Sequence, residues 1–252
     1  MSTLEEKIQQ LEAEIRPLED YLKQTKKLYE EDGTISDEEQ AELDEIVQTL
    51  EQVKERIQEL KEKKAKEDRN KAPCSGGTRF TKPMYDCKVG VSYEISVLVD
   101  QPGDGGDRDP YEGGLLSDVD VGHTFVHLLK KNKDGSTAEI TVGFYPSKEV
   151  DPMKPEVKGM LIHDKGHAAE VKATKKVTHD QFFKAVKYIE DQGSATYNLN
   201  TYNCTDFGIC VAGAAGWNIS SQRGKWPFGG GHNPGDLGED LKDDHNGQII
   251  PN

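Results

Sequence analysis

Two runs of apolar residues at heptad spacing occupy the first quarter of the chain and constrain its fold more than any other feature. In both runs the apolar positions recur at alternating intervals of four and three residues, which is the a/d pattern of a coiled-coil helix. The positions are Leu4, Ile8, Leu11, Ile15, Leu18 and Leu22, followed by Leu43, Ile46, Leu50, Val53, Ile57 and Leu60. Each helix has one narrow apolar seam, and we predict an antiparallel helical hairpin over residues 1–68.

The segment between the two seams carries the signals of a tight reversal. Gly33 suits the position just after a helix, and Ser36 with Glu39 forms a capping box for the next one. Gly33 and Glu39 also match two positions of an EF-hand loop. The first loop position would be Leu28, however, which cannot bind calcium. We therefore predict a helix-turn-helix reversal rather than a calcium site.

The hairpin has no cluster of polar residues suited to catalysis, so its predicted role is structural. Each seam can be buried by the other helix or by a second copy in a four-helix assembly, and the sequence leaves both open. We expect the hairpin to bind an export machinery or to self-associate. The formal net charge of -14 opposes binding to nucleic acid or anionic lipid, and no apolar run is long enough for a membrane span.

The amino terminus and the cysteines bear on where the protein acts. The first residues lack a basic segment followed by an apolar run, so we expect synthesis in the cytoplasm without a signal peptide and any export through a dedicated secretion system. The four cysteines, Cys74, Cys87, Cys204 and Cys210, lack the paired spacing of a zinc site. The sequence leaves open whether Cys74 and Cys87 form a disulfide.

The rest of the chain predicts a separate α+β domain at residues 87–252, after a linker at 69–86. A strand is predicted at 88–99, and a β-hairpin at 119–129 and 138–145 around the turn Lys-Asn-Lys-Asp-Gly. Weaker strands at 158–163 and 168–175 precede an amphipathic helix at 178–191. The expected fold is thus an antiparallel sheet with packed helices, one of which carries a cysteine.

Cys204 is the residue whose sequence context most clearly predicts a reactive side chain. Asn203 is a predicted N-cap, which places Cys204 at the first position of a helix rich in small residues that ends at Gly216. Unpaired amides and the helix dipole stabilise a thiolate at that position and lower the thiol pKa. Cys210 lies further along the same helix and is predicted to be a buried structural thiol.

The order of the chemical groups resembles a known superfamily. A histidine after a glycine on a strand, Gly122-His123, precedes a cysteine at a helix start, Asn203-Cys204-Thr205-Asp206-Phe207. Over roughly residues 87–240 this is similar to the circularly permuted papain-like superfamily, which includes the lecithin:retinol acyltransferase-like proteins. The resemblance implies Cys204 as nucleophile, His123 as general base and the amide of Cys204 in an oxyanion hole. Asn203 and Asp206 would support the site.

The third member of the predicted site is open at this stage. A turn centred near Lys133 would place His123 opposite Phe144, which leaves no polar side chain to orient the imidazole. Tyr145, brought in by a bulge, and His163 are the candidates. The HxxxH spacing of His163 and His167 contains a glycine and does not predict a zinc site. The motifs call for no cofactor and no metal.

Three functions follow as hypotheses. The first is a cysteine peptidase or amidase, deployed as a bacterial toxin effector against peptidoglycan or protein, because a catalytic-looking domain is joined to a helical adaptor without a signal peptide. The second uses the same Cys204 and His123 pair on lipid or thioester acyl groups. The third is a non-catalytic binding module on a coiled-coil adaptor, for which the missing orienting group is the best support.

Overall fold

The computed structural model describes residues 3–31, 35–103, 106–113 and 119–250. The chain divides into two compact units, Met1–Asn70 and Lys71–Asn252. Two helices form the first unit, and an antiparallel sheet with further helices forms the second. The α+β class expected from the sequence is therefore present.

The first unit is the predicted helical hairpin. Helix α1 spans Leu4–Glu31 and helix α2 spans Asp37–Arg69. The capping box of Ser36 and Glu39 is present at the start of α2, as predicted, whereas Gly33 lies outside the described residues. The seam positions that are buried in this unit are Ile8, Leu43, Leu50, Ile57 and Leu60. Among the described residues no helix is long and apolar enough to cross a membrane.

Among the described residues of the second unit there are nine strands and three α-helices. They are β1 (Gly90–Asp100), β2 (His123–Asn132), β3 (Thr137–Pro146), β4 (Glu156–His163), β5 (Val171–Val177), α3 (His179–Asp191), β6 (Thr196–Asn198), α4 (Cys204–Ala214), β7 (Gly224–Trp226), β8 (Gly229–Gly231), α5 (Pro234–Asp244) and β9 (Gln248–Ile249). Seven strands form one antiparallel sheet in the order β6-β4-β3-β2-β1-β5-β9, and β7 pairs with β8.

The apolar core of this unit lies between the sheet and its helices. Helix α4 packs on β1, β2 and β3, helix α3 packs on α4 and β1, and helix α5 packs on β1 and β5. Val97 and Val126 from the sheet and Phe182 and Phe207 from the helices are completely buried there. Because α4 lies across the central strands, its first residue is held at one end of β2.

The segment that the sequence predicts as a linker, 69–86, is a structured part of the second unit from Lys71 onward. Phe80 and Met84 are buried in its core, and the segment is closed by a disulfide between Cys74 and Cys87, whose Cα atoms are 4.3 Å apart. The buried apolar residues of this stretch are Ala72, Phe80 and Met84, which are too few and too widely spaced to form a periodic pattern. The linker prediction is therefore wrong for residues 71–86.

The predicted β-hairpin is present, but its register differs by one residue from the prediction. Phe125 pairs with Gly143 rather than with Val142. A hydrogen bond from the Asn132 amide to the Ser136 carbonyl (2.8 Å) closes the turn. The centre of the turn therefore lies half a residue further along the chain than the predicted centre. Since neighbouring residues of a strand face opposite sides, this shift changes which residues of β3 share a face with His123.

Helix α4 begins as the sequence predicts. Asn203 is its N-cap and forms a capping box with Asp206, and Cys204 is the first helical residue. A Cβ on Gly208 would lie 2.8 Å from Thr124 Cγ2, so the glycine allows the helix to approach β2 closely. The helix ends before Gly216, which has a φ of 72° as a left-handed terminating residue requires.

Candidate active site

The Cys204 thiol is held between the start of α4 and the start of β2. It accepts hydrogen bonds from the His123 side chain, from the backbone amide of Thr124 and from the Thr205 side chain. The Thr205 hydroxyl is also 3.2 Å from that of Thr124, which ties the helix start to the strand. The residue is 8% exposed.

The electrostatics favour a charged form of the pair. Burial alone would raise the pKa of the Cys204 thiol, but the hydrogen bond and charge of His123, with the Thr124 amide, lower it below its usual value. Burial alone would likewise lower the pKa of His123, but Asp164 and Cys204 raise it to about 9. A lowered thiol pKa beside a raised imidazole pKa favours the thiolate–imidazolium form of the pair over the neutral form.

Asp164 supplies the orienting group that the sequence did not reveal. Its Oδ2 is 3.2 Å from Nε2 of His123, and both side chains are buried. With Nε2 committed to the carboxylate, Nδ1 is the nitrogen left for the thiol. Asp164 directly follows β4, and its amide donates to the Thr141 carbonyl (3.1 Å), which continues the β3–β4 ladder. The three side chains form a Cys–His–Asp arrangement.

Of the two residues predicted to orient His123, Tyr145 lies at the site and His163 does not. Tyr145 lies beside the histidine, with ring centroids 4.1 Å apart, and its hydroxyl donates to Asp164 Oδ1 (2.9 Å). Burial and the Asp164 hydrogen bond raise the Tyr145 pKa, so the phenol remains a neutral donor. His163 is not the contacting group. Its ring packs 4.7 Å from that of Phe80, because it precedes Asp164 by one residue and faces the other way.

Gly143 explains how Asp164 reaches the histidine. In the β2–β3 and β3–β4 registers this glycine lies opposite Phe125 and Ile162, between the histidine and the carboxylate. A Cβ at this position would overlap both Asp164 Oδ2 and His123 Nε2. The missing side chain thus provides the space in which the hydrogen bond forms.

Asn203 and Asp206, predicted as supporting residues, fix the start of α4. The Asn203 side chain accepts from the amides of Thr205 (2.9 Å) and Asp206 (3.2 Å), and Asp206 Oδ2 accepts from the Asn203 amide (3.1 Å). Asp206 Oδ1 lies 2.7 Å from Nδ1 of His232, which anchors the segment before α5 to the same point. Both residues hold the cysteine's backbone in place rather than contact the thiol.

Tyr197 is a further neighbour of the thiol that the sequence analysis missed. Its side chain is buried on the short strand β6, its hydroxyl hydrogen-bonds with the Cys204 thiol, and it accepts from the Cys204 amide. Burial and the cysteine raise its pKa, so it remains protonated. The phenol is a donor suited to a developing oxyanion, and the helix-terminal amide, which donates to the phenol oxygen in this structure, is a second one when a substrate oxygen takes the place of that acceptor. A tyrosine seven residues before the cysteine was the available signal.

One further histidine lies near the site on β2, and the potential metal ligands of the described residues are not arranged as a metal site. His127, a possible alternative base, has its Nε2 3.5 Å from Glu139 Oε2 on β3. Across the residues that the structure describes, no group of three or more His, Cys, Asp or Glu side chains is arranged to hold a metal ion. The site therefore contains a cysteine thiol, an imidazole held by a carboxylate, and two hydrogen-bond donors beside the sulfur.

Comparison with known proteins gives no relative. No family model matches the chain, and neither a curated protein nor a solved structure matches it. Any statement about function therefore rests on the residues and geometry described above.

Proposed function

We propose that the protein is a cysteine hydrolase that cleaves an amide bond, with Cys204 as nucleophile and His123 as general base and acid. The observation that carries the proposal is the buried ion pair at the start of α4, in which Asp164 holds the imidazole from the side away from the thiol. A lowered thiol pKa, a raised imidazole pKa and a helix amino terminus form the combination that activates a cysteine for attack on a carbonyl.

The proposed reaction has two stages. The Cys204 sulfur adds to the substrate carbonyl, and the charge on its oxygen is stabilised by the Cys204 amide and the Tyr197 hydroxyl. The His123 imidazolium then gives its proton to the leaving nitrogen, the C–N bond breaks and a thioester forms. Neutral His123 next removes a proton from water, which attacks the thioester, and the C–S bond breaks to regenerate the thiolate and release a carboxylic acid.

Two features favour an amide as substrate. An amine is a poor leaving group unless it is protonated as it departs, and an imidazole with a pKa of about 9 is stored in its protonated form at neutral pH. The order of histidine before cysteine is also what the resemblance to the permuted papain-like superfamily implies, although Asp164 reaches the histidine from the end of β4 and not from the neighbouring strand β3.

The disulfide supports an action outside the cytoplasm. Disulfides persist in oxidising compartments and are rare in proteins that remain in the cytoplasm, and Cys74 is bonded to Cys87 in this structure. Together with the separate helical hairpin, this is consistent with a bacterial toxin effector that is exported and then cleaves peptidoglycan or protein. In this proposal the hairpin contacts the export machinery or a second copy of the chain.

A second candidate, hydrolysis or transfer of acyl groups, has one observation in its favour. Met160 and Ile162 on β4 are each 36% exposed, and they lie opposite Tyr145 and Gly143 respectively. Two half-exposed apolar side chains beside the site can contact an acyl chain. The third hypothesis, a non-catalytic binding module, loses its main support because Asp164 provides the orienting group whose absence had favoured it.

The proposal is tested by the reactivity of Cys204 and by turnover. Iodoacetamide labelling of Cys204 at pH 7 is expected to be fast, and His123→Ala is expected to slow it about tenfold or more. Cys210→Ser, which removes the other free cysteine, is the matched control and is expected to leave labelling of Cys204 unchanged. Peptidoglycan fragments, peptides and acyl thioesters are then assayed with the wild type and with Cys204→Ala.

The outcomes separate the three hypotheses. Cleavage of peptides or peptidoglycan that is lost in Cys204→Ala supports the amidase, and turnover of acyl thioesters or lipids alone supports the second candidate. A slow, His123-independent labelling rate would contradict both enzymatic hypotheses and leave the binding module.

A further inference from the structure

A second histidine–carboxylate pair lies directly beside the catalytic histidine and has no part in the proposed chemistry. Nε2 of His167 is 3.0 Å from Oδ2 of Asp100, and the His167 ring lies edge-on to the His123 ring with centroids 5.3 Å apart. Asp100 is the β1 residue that pairs with His123 in the sheet. Both elements that carry this pair are therefore fixed relative to the catalytic imidazole.

The turn that follows β4 delivers both groups to the site. Asp164 starts the turn and contacts Nε2 of His123, and the His167 amide donates to the Asp164 carbonyl (3.0 Å). The side chains of His167 and Asp100 are 33% and 31% exposed, whereas that of Asp164 is buried. The same four-residue turn thus places one buried group, Asp164, and one partly exposed group, His167, against the His123 imidazole.

The position of the pair relative to the reaction defines what it can touch. His123 donates its proton to the leaving nitrogen, so the part of the substrate that departs as an amine must lie against His123 during the first stage. Groups that border this imidazole and remain open to solvent contact the leaving group rather than the acyl group. His167 and Asp100 meet both conditions.

The hydrogen-bonding character of the pair indicates the ligand chemistry. In the tautomer that donates from Nε2 of His167 to Asp100, Nδ1 is an acceptor, and the second carboxylate oxygen of Asp100 is another. The cation on the same turn, Lys165, has its Nζ 3.4 Å from Glu139 Oε1 and is directed away from this pair. The surface beside His123 therefore presents acceptors, which bind N–H groups and ammonium ions.

We infer that His167 and Asp100 form the leaving-group subsite and select amines that carry a further hydrogen-bond donor, above all a second amino group. The inference rests on the proposed function and specifies its substrate class: amides in which the departing amine belongs to a diamino compound or a basic residue. His167 and Asp100 are specificity-determining residues here, since the bond-making groups remain Cys204 and His123.

Transfer of an acyl group to added amines tests this subsite without knowledge of the natural substrate. p-Nitrophenyl acetate acylates Cys204 and releases p-nitrophenolate. An added amine then attacks the thioester, His123 takes the proton from its nitrogen, the C–N bond forms and the C–S bond breaks. This is the reverse of the leaving-group step, so the amine occupies the leaving-group subsite. The measured quantity is the ratio of acetyl-amide to acetate.

The comparison uses lysinamide and norleucinamide, which differ in the terminal amino group. In the wild type we expect the amide-to-acetate ratio to be about tenfold higher for lysinamide, as one charge-assisted hydrogen bond provides. Asp100→Asn and His167→Ala are each expected to reduce this preference to within about twofold of unity. His167→Gln, which retains an acceptor, should keep part of it. Lys165→Ala, an exposed position on the same turn, is the matched control and should keep all of it.

Each result has a definite meaning. Equal ratios for the two amines in the wild type, or a preference that survives in both Asp100→Asn and His167→Ala, would overturn the inference and leave the proposed hydrolase intact. The absence of a p-nitrophenolate burst that depends on Cys204 would instead contradict the proposed function, and with it the inference that rests on it. If Asp100→Asn or His167→Ala does not fold, it shows no p-nitrophenolate burst while Lys165→Ala still does. The amide-to-acetate ratio of His167→Gln is then used to test the inference.

Discussion

Replacement of Asp164 by asparagine isolates the charge that holds His123, the proposed general base. Asparagine has nearly the same shape and can still accept a hydrogen bond from Nε2 of His123, so the change removes the negative charge and little else. At 3.2 Å the Coulomb energy between the carboxylate and an imidazolium is about 5 kcal/mol at an effective dielectric constant of about 20, which is an upper limit. The net value of a hydrogen bond to a charged group is lower, about 1.5–3 kcal/mol.

This energy predicts a defined change in the pH dependence. A loss of about 1.5–3 kcal/mol corresponds to about one to two pKa units. The His123 pKa is about 9 in the wild type, so the ion pair is present below that value and is lost as the pH rises through it. In Asp164→Asn the alkaline limb of kcat/KM should move to about pH 7–8, so that the value at pH 9 falls about 5- to 50-fold while the value at pH 7 falls by about twofold or less. The acidic limb, set by the lowered thiol pKa, should move less.

Two measurements check this prediction. The pH profile of Cys204 alkylation reports the ion pair without a substrate, and an NMR titration of the His123 ring reports its pKa directly. Asp180→Asn is the matched control, because Asp180 forms an exposed histidine–carboxylate pair with His179 at 2.9 Å, far along the chain from the site. An alkaline limb that stays near pH 9 in Asp164→Asn, with reactivity at pH 9 within about twofold of the wild type, would refute the assigned role of Asp164.

Three further predictions follow from the same contacts. Gly143→Ala should lower kcat/KM about 10- to 100-fold by separating Asp164 from the imidazole, with the native circular dichroism spectrum retained; unchanged kinetics would contradict the role of the glycine. Tyr197→Phe should lower kcat about tenfold and change KM less, as expected for a donor used in the transition state, and an effect on KM alone would argue against it. Replacement of both Cys74 and Cys87 by serine should lower the free energy of unfolding of the second unit, measured with urea, by about 3 kcal/mol. The reason is that the disulfide closes a short loop with a sequence separation of 13. A loss below about 1 kcal/mol would argue that packing alone holds the loop.

The local elements of the chain were predictable because they depend on short-range patterns. The heptad seams, the capping box at Ser36 and the N-cap at Asn203 are each set by side chains within one or two turns of a helix, and all three occur as predicted. The short strands β6 to β9 and helix α5 were missed. They contain few apolar residues at regular spacing, and Gly229 to Gly231 has no side chains from which a pattern could arise.

The position of the orienting group was not predictable because it depends on the strand register, which decides which alternate residues of β3 and β4 face His123. The residue of β3 that faces His123 is fixed by the length of the β2–β3 turn, and an error of one residue exchanges Tyr145 for Phe144. The β3–β4 register then decides whether His163 or Asp164 points toward the site. The prediction named Tyr145 and His163 as candidates and did not include Asp164, although this carboxylate directly follows His163 in the sequence.

Hydrogen bonds across several strands make the site sensitive to small changes at a distance. His123 is the first residue of β2, and Asp164 follows β4. The strand between them, β3, has a glycine, Gly143, where a side chain would block the contact. Because the carboxylate must cross β3 to reach Nε2, only a glycine in the intervening position is compatible with the contact. The carboxylate is in turn held by Tyr145 on the same strand, so β3 both opens the path and fixes its end point. The register of a single hairpin therefore determines whether Cys204 has an activated partner.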